Sequence, residues 1–211
     1  MNQYIDATIL KPDASIEEYR SLCQDAKNYN FPAVCIPPFM IESCKQALIG
    51  SQVKVATVVG FPSGYQRISV KLFELKDAII QGAEELDYLV HRGFLANNDW
   101  ENIEEETLAW VDICREKNVI SKWIIESSEL TQSQILRLLE IANKHKPDYV
   151  KTSTGVYGKA KVDDVKLFRE NLILEIKIKA AGGISNREMA KSLVLAGADR
   201  LGVSQYSNLL D

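Results

Sequence analysis

The sequence has little of the material from which metal sites and disulfide frameworks are built. Its four cysteines contain no Cys-x-x-Cys pair, and neither of its two histidines, His91 and His145, lies beside a cysteine. We therefore expect no disulfide framework and no metal site. No cofactor is expected either. A histidine-based triad is also disfavoured, so the chemistry is expected to come from Lys, Asp, Glu, Ser or Thr side chains.

The chain also lacks an excess of positive charge and a long hydrophobic run. It has 25 Lys and Arg residues against 29 Asp and Glu residues, with both signs interspersed. This balance argues against nucleic-acid binding, which needs a basic face. The longest uncharged run near the N-terminus, residues 28–41, contains three prolines and is too short to span a bilayer. The N-terminus has no signal-peptide pattern, so we expect a cytoplasmic protein without membrane association.

Short apolar segments of strand length recur along the 211 residues, and no linker divides them. They predict eight strands, at residues 4–10, 33–36, 53–59, 85–90, 121–125, 149–152, 172–178 and 200–203. Several are continuously apolar, as is typical of parallel strands that are buried on both faces.

Amphipathic helices are predicted between these strands. Capping-box patterns at Ser15 and Thr131 begin two of them, and the others cover residues 40–48, 69–81, 100–117, 161–171 and 186–196. This alternation predicts an α/β protein with one domain over residues 1–211, folded as a (β/α)8 TIM barrel. A doubly wound open sheet is the alternative, but no Gly-x-Gly-x-x-Gly follows the first strand.

Candidate chemistry lies where such a barrel places it, at the C-terminal ends of the strands. Lys151 and Lys179 stand at two strand ends, and Asp87 interrupts the apolar fourth strand. A buried carboxylate needs a cationic partner, and the two lysines are the obvious candidates. Such a cluster suits a Schiff-base lysine, because a second cation favours the neutral, nucleophilic amine. A single lysine at a strand end is more often an exposed residue at the rim of the barrel. The hypothesis therefore rests on the two lysines and Asp87 occurring together.

Glycines follow both lysines, and they suggest an anion site. Gly155 comes after Lys151, and Gly182 and Gly183 come after Lys179. Glycine lets the backbone approach an anion closely, and loops after the last strands of such barrels commonly bind phosphate. The alternative is that these are ordinary turns between a strand and a helix.

Seven motifs in order along the chain resemble those of the deoxyribose-phosphate aldolase family. They are Ile5-Asp6-Ala7-Thr8-Ile9-Leu10-Lys11-Pro12, Val34-Cys35-Ile36, Val59-Gly60-Phe61-Pro62, Gly82-Ala83-Glu84-Glu85-Leu86-Asp87, Lys122-Trp123-Ile124-Ile125-Glu126, Val150-Lys151-Thr152-Ser153-Thr154-Gly155 and Lys179-Ala180-Ala181-Gly182-Gly183-Ile184. The match runs from residue 5 to residue 204, and the last two motifs are the most specific.

The resemblance implies a metal-free class I aldolase that reversibly splits 2-deoxy-D-ribose 5-phosphate into acetaldehyde and D-glyceraldehyde 3-phosphate. Lys151 matches the family's Schiff-base lysine, Lys179 the second lysine that activates it, and Asp87 the carboxylate of the proton relay. The remaining matches concern substrate binding and its support. Substrate-pocket positions are matched by Thr8, Cys35 and Thr154, supporting polar positions by Asp6 and Lys122, and phosphate-site positions by Gly155, Gly182, Gly183 and Ser204. The resemblance also implies a homodimer.

The sequence departs from the family pattern mainly around the expected phosphate site. Ser185 stands where the family usually has Arg, and Gln205 replaces one of two hydroxyls. Other departures are Ala7 for His, Ser63 for Leu, and His91-Arg92 where an Asn is common. The reaction type is therefore better supported than the substrate. The alternatives are a Schiff-base aldolase for a different or unphosphorylated sugar, and a non-catalytic sugar-phosphate-binding barrel.

Overall fold

The protein forms a closed barrel of eight parallel strands in a computed structural model that describes residues 1–210. The strands are β1 (Ile5–Thr8), β2 (Ala33–Ile36), β3 (Lys54–Val59), β4 (Glu85–Leu89), β5 (Ile120–Ile124), β6 (Tyr149–Lys151), β7 (Lys177–Ala181) and β8 (Arg200–Val203). Each pairs with the next along the chain, and β8 pairs with β1. The predicted (β/α)8 barrel is confirmed, and the open sheet is wrong.

Helices connect the strands and cover the outside of the barrel. They are α1 (Ile16–Tyr29), α2 (Ile41–Ala47), α3 (Ile68–Gln81), α4 (Arg92–Ala96), α5 (Trp100–Lys117), α6 (Gln132–His145), α7 (Val162–Asn171) and α8 (Arg187–Leu195). The sequence patterns predicted seven of these and missed the five-residue α4, which begins where the His91 ring accepts the Phe94 N–H. No helix within residues 1–210 is long and apolar enough to cross a membrane.

The capping boxes predicted at Ser15 and Thr131 are both present. The Ser15 hydroxyl accepts the Glu18 N–H at 3.3 Å, and the Glu18 carboxylate accepts the Ser15 N–H at 2.8 Å. Thr131 and Gln134 make the same reciprocal pair at the start of α6. These contacts satisfy N–H groups that have no partner inside the helix, which sets where α1 and α6 begin.

The predicted position of β7 is wrong. Residues 172–176 form a turn, and the strand runs from Lys177 to Ala181. The guanidinium of Arg169 donates to three carbonyls of this segment, those of Leu172, Ile173 and Ile176, at 3.0–3.3 Å. Leu172 and Ile176 are buried while Leu174 between them is exposed. The apolar run therefore covers the helix–strand corner, and periodicity alone cannot distinguish this from a buried strand.

A buried polar cluster lies outside the barrel interior, between α3, α5 and β4. Lys71 donates to the Glu106 carboxylate at 2.9 Å and to the Leu89 carbonyl at 2.6 Å. The Tyr88 hydroxyl donates to the same Glu106 oxygen at 3.0 Å, and its ring stacks on Trp110. Lys71 and Glu106 are both buried, so removing either charge leaves the other without compensation.

We predict that Lys71→Met destabilises the fold by about 3–5 kcal/mol, because it leaves the Glu106 charge buried and unpaired. Urea denaturation measures the loss, and Lys71→Met/Glu106→Leu should recover part of it. The control is Lys45→Met, which breaks the half-exposed Lys45–Glu84 pair and should cost less than about 1 kcal/mol. A Lys71→Met variant as stable as the control would contradict the prediction.

Candidate active site

Strand register brings the predicted charged residues together inside the barrel. Asp87 and Lys122 are Cα partners on β4 and β5, and Lys151 and Lys179 are Cα partners on β6 and β7. Side chains alternate between the two faces of a strand, so paired residues point to the same face. In a closed barrel all four side chains then meet in the interior, as was predicted for Asp87 and the two lysines.

Asp87 accepts hydrogen bonds from three lysines. The Lys122 ammonium donates to Oδ1 at 3.0 Å, and Lys151 and Lys179 donate to Oδ2 at 2.6 and 2.8 Å. Burial opposes ionisation of Asp87, but the three positive charges outweigh it and hold the pKa of this carboxyl well below its usual range. The Cys35 thiol lies 3.9 Å from the same Oδ2, and burial together with the Asp87 charge raises its pKa. Cys35 is therefore a neutral neighbour of the cluster.

A second layer of charge lies beneath Asp87. Asp6 is 2.7 Å from the Lys179 ammonium, and Glu85 is 2.5 Å from that of Lys122. Arg200 pairs with both of these carboxylates. Burial opposes the charge of Lys179, yet Asp6 and Asp87 raise its pKa well above the ordinary value, so its protonated form is favoured. Carboxylates likewise raise the pKa values of Lys122 and Arg200.

Sequence reasoning missed Glu85 and Arg200, although a signal for Glu85 was present. Glu85 lies two residues before Asp87 on β4, and residues at that spacing share one face of a strand. Arg200 opens β8, and its contacts depend on the closure of β8 against β1. With these two residues, the network contains one more cation than it has carboxylates.

A pocket of about 500 Å³ opens above this network. Seven of the predicted site residues line it, namely Thr8, Lys151, Thr154, Gly155, Gly182, Gly183 and Ser204. The other five are fully buried and lie below its floor, namely Asp6, Cys35, Asp87, Lys122 and Lys179. Lys151 is therefore the member of the charged network that reaches the pocket. The pocket lining also contains Ser185 and Gln205, two of the positions that depart from the family pattern.

Glycines allow two of the pocket loops to touch. Gly182 has a φ of +101°, and a Cβ there would lie 2.6 Å from the Gly158 carbonyl oxygen and 3.2 Å from the Gly155 Cα. A side chain at Gly182 would therefore push the loops after β6 and β7 apart. This close approach places the Gly182–Gly183 backbone beside Lys151 along the pocket wall.

Glu126, at the end of β5, holds the loop after β6 from below. Its buried carboxylate accepts the Thr154 N–H, with the two oxygens 3.2 and 3.3 Å from the nitrogen. Its own φ of +57° is uncommon for a residue with a side chain.

Across residues 1–210, no group of three or more His, Cys, Asp or Glu side chains is placed to hold a metal ion.

We predict that Asp6 makes the stability of the protein sensitive to acid. Burial raises the pKa of Asp6, but Lys179, Lys122 and Arg200 outweigh it and lower the pKa from 3.8 to about 2. The folded pKa is the lower one, so the ionised form stabilises the fold above about pH 4 and this contribution is lost as the pH falls towards about 2. The loss amounts to about 2 kcal/mol.

Denaturation by urea across this pH range measures the effect. Asp6→Asn should be less stable at neutral pH and should lose less additional stability on acidification. Asp13→Asn, which removes an exposed carboxylate, should keep the wild-type pH dependence. An Asp6→Asn curve parallel to the wild type would refute the assignment.

Comparison with known proteins identifies the family. The sequence model of the DeoC/LacD family of aldolases matches residues 1–204. The chain is 43% identical over 201 residues to the deoxyribose-phosphate aldolase of Clostridium perfringens, covering 95% of this chain and 89% of that protein. It is 41% identical over 206 residues to that of Treponema denticola, covering 97% and 95%. The solved tetrameric deoxyribose phosphate aldolase of Aeropyrum pernix has a TM-score of 0.89 at 29% identity, covering 99% and 88%. The chain therefore belongs to the DeoC/LacD family of aldolases.

Proposed function

We propose that this protein is a class I aldolase that reversibly cleaves 2-deoxy-D-ribose 5-phosphate into acetaldehyde and D-glyceraldehyde 3-phosphate. The observation that carries the proposal is the Lys151 amine at the pocket floor, 2.6 Å from an Asp87 oxygen that it shares with Lys179. The family membership and the names of the relatives agree with this activity.

Lys151 is the nucleophile in this proposal. An ordinary lysine with a pKa near 10.4 is almost fully protonated at neutral pH and is a poor nucleophile. The Lys179 cation shares Asp87 with Lys151, and the network already holds one positive charge in excess. Lys151 is the member of the network that reaches the pocket, so it is the amine that a substrate carbonyl can meet.

The neutral Lys151 amine adds to the C1 carbonyl of the open-chain sugar to give a carbinolamine. A proton from the relay then lets its hydroxyl leave as water, which leaves an iminium ion. A base then takes the proton of the C3 hydroxyl, and the C2–C3 bond breaks to release D-glyceraldehyde 3-phosphate. The bonding electrons move to the iminium nitrogen, which acts as the electron sink and leaves an enamine on Lys151. Protonation of the enamine carbon and hydrolysis release acetaldehyde. Asp87 and Lys179 lie close enough to Lys151 to relay these protons through water.

The phosphate end of the substrate is assigned to the wall formed by Gly155, Gly182, Gly183 and Ser204. The positive φ angles of the three glycines turn the backbone sharply at this wall, where N–H groups can bind an anion. Thr8 and Thr154 supply hydroxyls for the sugar, whereas Asp6, Cys35 and Lys122 support the charged floor without reaching the pocket.

A cytoplasmic homodimer completes the proposal. Val70, Phe73 and Ile80 on α3 are exposed and recur at helical spacing, so they form an apolar stripe suited to a subunit interface. A two-fold dimer is the commonest assembly, and the Aeropyrum pernix relative is a tetramer.

We predict that acetaldehyde and borohydride attach a reduced ethyl group to Lys151, because only a neutral amine forms the imine. Peptide mass spectrometry locates the adduct. Lys151→Leu should abolish labelling, and Lys179→Leu should slow it because the neighbouring charge is lost. Lys177→Leu, an exposed position on the same strand β7, serves as the matched control and should label at the wild-type rate. Labelling mainly at another lysine would be inconsistent with the proposed mechanism.

We predict that Ser185→Arg increases the preference for a phosphorylated substrate. Hydrogen bonds to charged groups contribute about 1.5–3 kcal/mol each, so an added guanidinium should improve phosphate recognition by roughly tenfold. The measurement is the ratio of kcat/KM for 2-deoxyribose 5-phosphate to that for 2-deoxyribose. Ser133→Arg adds the same charge at an exposed site of α6, outside the pocket lining, and is the control.

An unchanged ratio in Ser185→Arg would show that this loop does not set phosphate affinity. A wild-type enzyme that prefers the unphosphorylated sugar would instead favour the alternative aldolase for a different substrate. The exposed Ser185 and Gln205 in the pocket lining are the observations that keep this alternative open.

A further inference from the structure

Ser63 and Arg92 contact the same tyrosine. The Ser63 hydroxyl lies 3.0 Å from the Tyr157 hydroxyl, and the Arg92 guanidinium lies over the Tyr157 ring, 4.3 Å from its centroid. Ser63 belongs to the loop after β3, Arg92 begins α4 after β4, and Tyr157 belongs to the loop after β6. Tyr157 therefore joins loops from opposite sides of β5. We call these three residues the Tyr157 clasp.

The loop that carries Tyr157 is held on both sides of a short exposed tip. Glu126 holds the Thr154 N–H, and the Thr154 hydroxyl accepts the Val156 N–H at 3.1 Å. Gly155 packs directly on Gly182. Beyond this base, Val156 and Tyr157 are 57% and 46% exposed. The next residue, Gly158, is buried and packs against Gly182, so the exposed tip consists of Val156 and Tyr157, and the contacts of Tyr157 set the position of its side chain.

The loop after β3, which carries Ser63, is held by hydrogen bonds and close packing on both sides of Ser63. The Gly60 N–H donates to the Glu74 carboxylate at 2.8 Å, and the Gly64 N–H donates to the Gly60 carbonyl at 2.7 Å. Gly64 lies so close to β4 that a Cβ there would be 2.3 Å from the Val90 carbonyl oxygen. The loop thus turns tightly on itself and presents Ser63 towards Tyr157.

Both clasped loops form walls of the pocket. Phe61 lines it from the loop after β3, and Val156 lines it from the loop after β6. Phe61 is two residues from Ser63, and Val156 is next to Tyr157. The Ser63–Tyr157 hydrogen bond and the Arg92 contact therefore control the separation of these two walls above Lys151.

We propose that Tyr157 is a specificity-determining residue, and that its contacts with Ser63 and Arg92 limit the size of the acceptor aldehyde. This inference rests on the proposed aldolase function. In the direction of synthesis, an acceptor aldehyde must fit the pocket whose walls include Phe61 and Val156 to reach the enamine on Lys151. A clasped mouth admits short aldehydes and excludes those with a branched or aromatic substituent.

The test is the ratio of kcat/KM for phenylacetaldehyde to that for propanal, with acetaldehyde as donor. Neither acceptor carries phosphate, so the ratio reports size and is independent of the anion site. Tyr157→Phe and Ser63→Ala should each raise the ratio roughly two- to tenfold, the range that one net hydrogen-bond contribution covers. The double variant should add little to either single change, because both remove the same contact. Tyr157→Ala, which also removes the Arg92 contact, should raise the ratio further.

Tyr65→Phe is the matched control, because Tyr65 is an exposed tyrosine of the same loop as Ser63, outside the pocket lining. It should keep the wild-type ratio. Borohydride labelling of Lys151 in the wild type and in each variant separates failure of the clasp hypothesis from failure of the proposed aldolase function. Variants that label and turn over propanal but keep the wild-type ratio would overturn the clasp alone. A wild type that does not label would overturn the aldolase function. If Tyr157→Ala does not fold, Tyr157→Phe and Ser63→Ala decide the question, because each changes a single functional group.

Discussion

Asp87 is the carboxylate on which three lysine ammonium groups converge inside the barrel. Burying a charge costs several kcal/mol unless it is paired, so neither Asp87 nor the lysines could occupy this interior alone. Asp6, Glu85 and Arg200 complete the pairing from below. The pocket floor depends on this network, because it fixes a polar surface in a part of the barrel that is otherwise apolar.

The network separates two lysines that lie below the pocket floor from the one that reaches the pocket. Carboxylates keep Lys122 and Lys179 protonated, whereas Lys151 pairs with Asp87 alone and reaches the pocket. A Schiff-base mechanism needs this difference, since only an amine that reaches the pocket can meet the carbonyl of a substrate. The ends of the strands set the difference between Lys151 and Lys179, because β6 ends at Lys151 whereas β7 continues two residues past Lys179.

The floor and the walls of the pocket differ in burial. The floor side chains lie on strands and are buried. Ser63, Ser185 and Gln205 lie in loops, Arg92 begins α4, and all four are at least partly exposed to water. Breaking a buried ion network costs about 3–5 kcal/mol, whereas exposed substitutions usually change stability by less than about 0.5 kcal/mol. Loop residues can therefore vary and alter specificity while the chemistry beneath them stays the same.

The sequence by itself determined the alternation of strands and helices, the two capping boxes, and the assignment of Asp87 and the two lysines to one cluster. These follow from local periodicity and from the rule that a buried carboxylate needs a cation. The sequence pattern predicted β7 at the wrong position, because an apolar run that covers a helix–strand corner has the same pattern as a buried strand. Only the tertiary structure decided that Arg200 joins the network and that Tyr157 reaches Ser63. Arg200 and Asp6 are 194 residues apart, and Tyr157 and Ser63 are 94 apart. Contacts over such separations arise from closure of the barrel, and no local pattern encodes them.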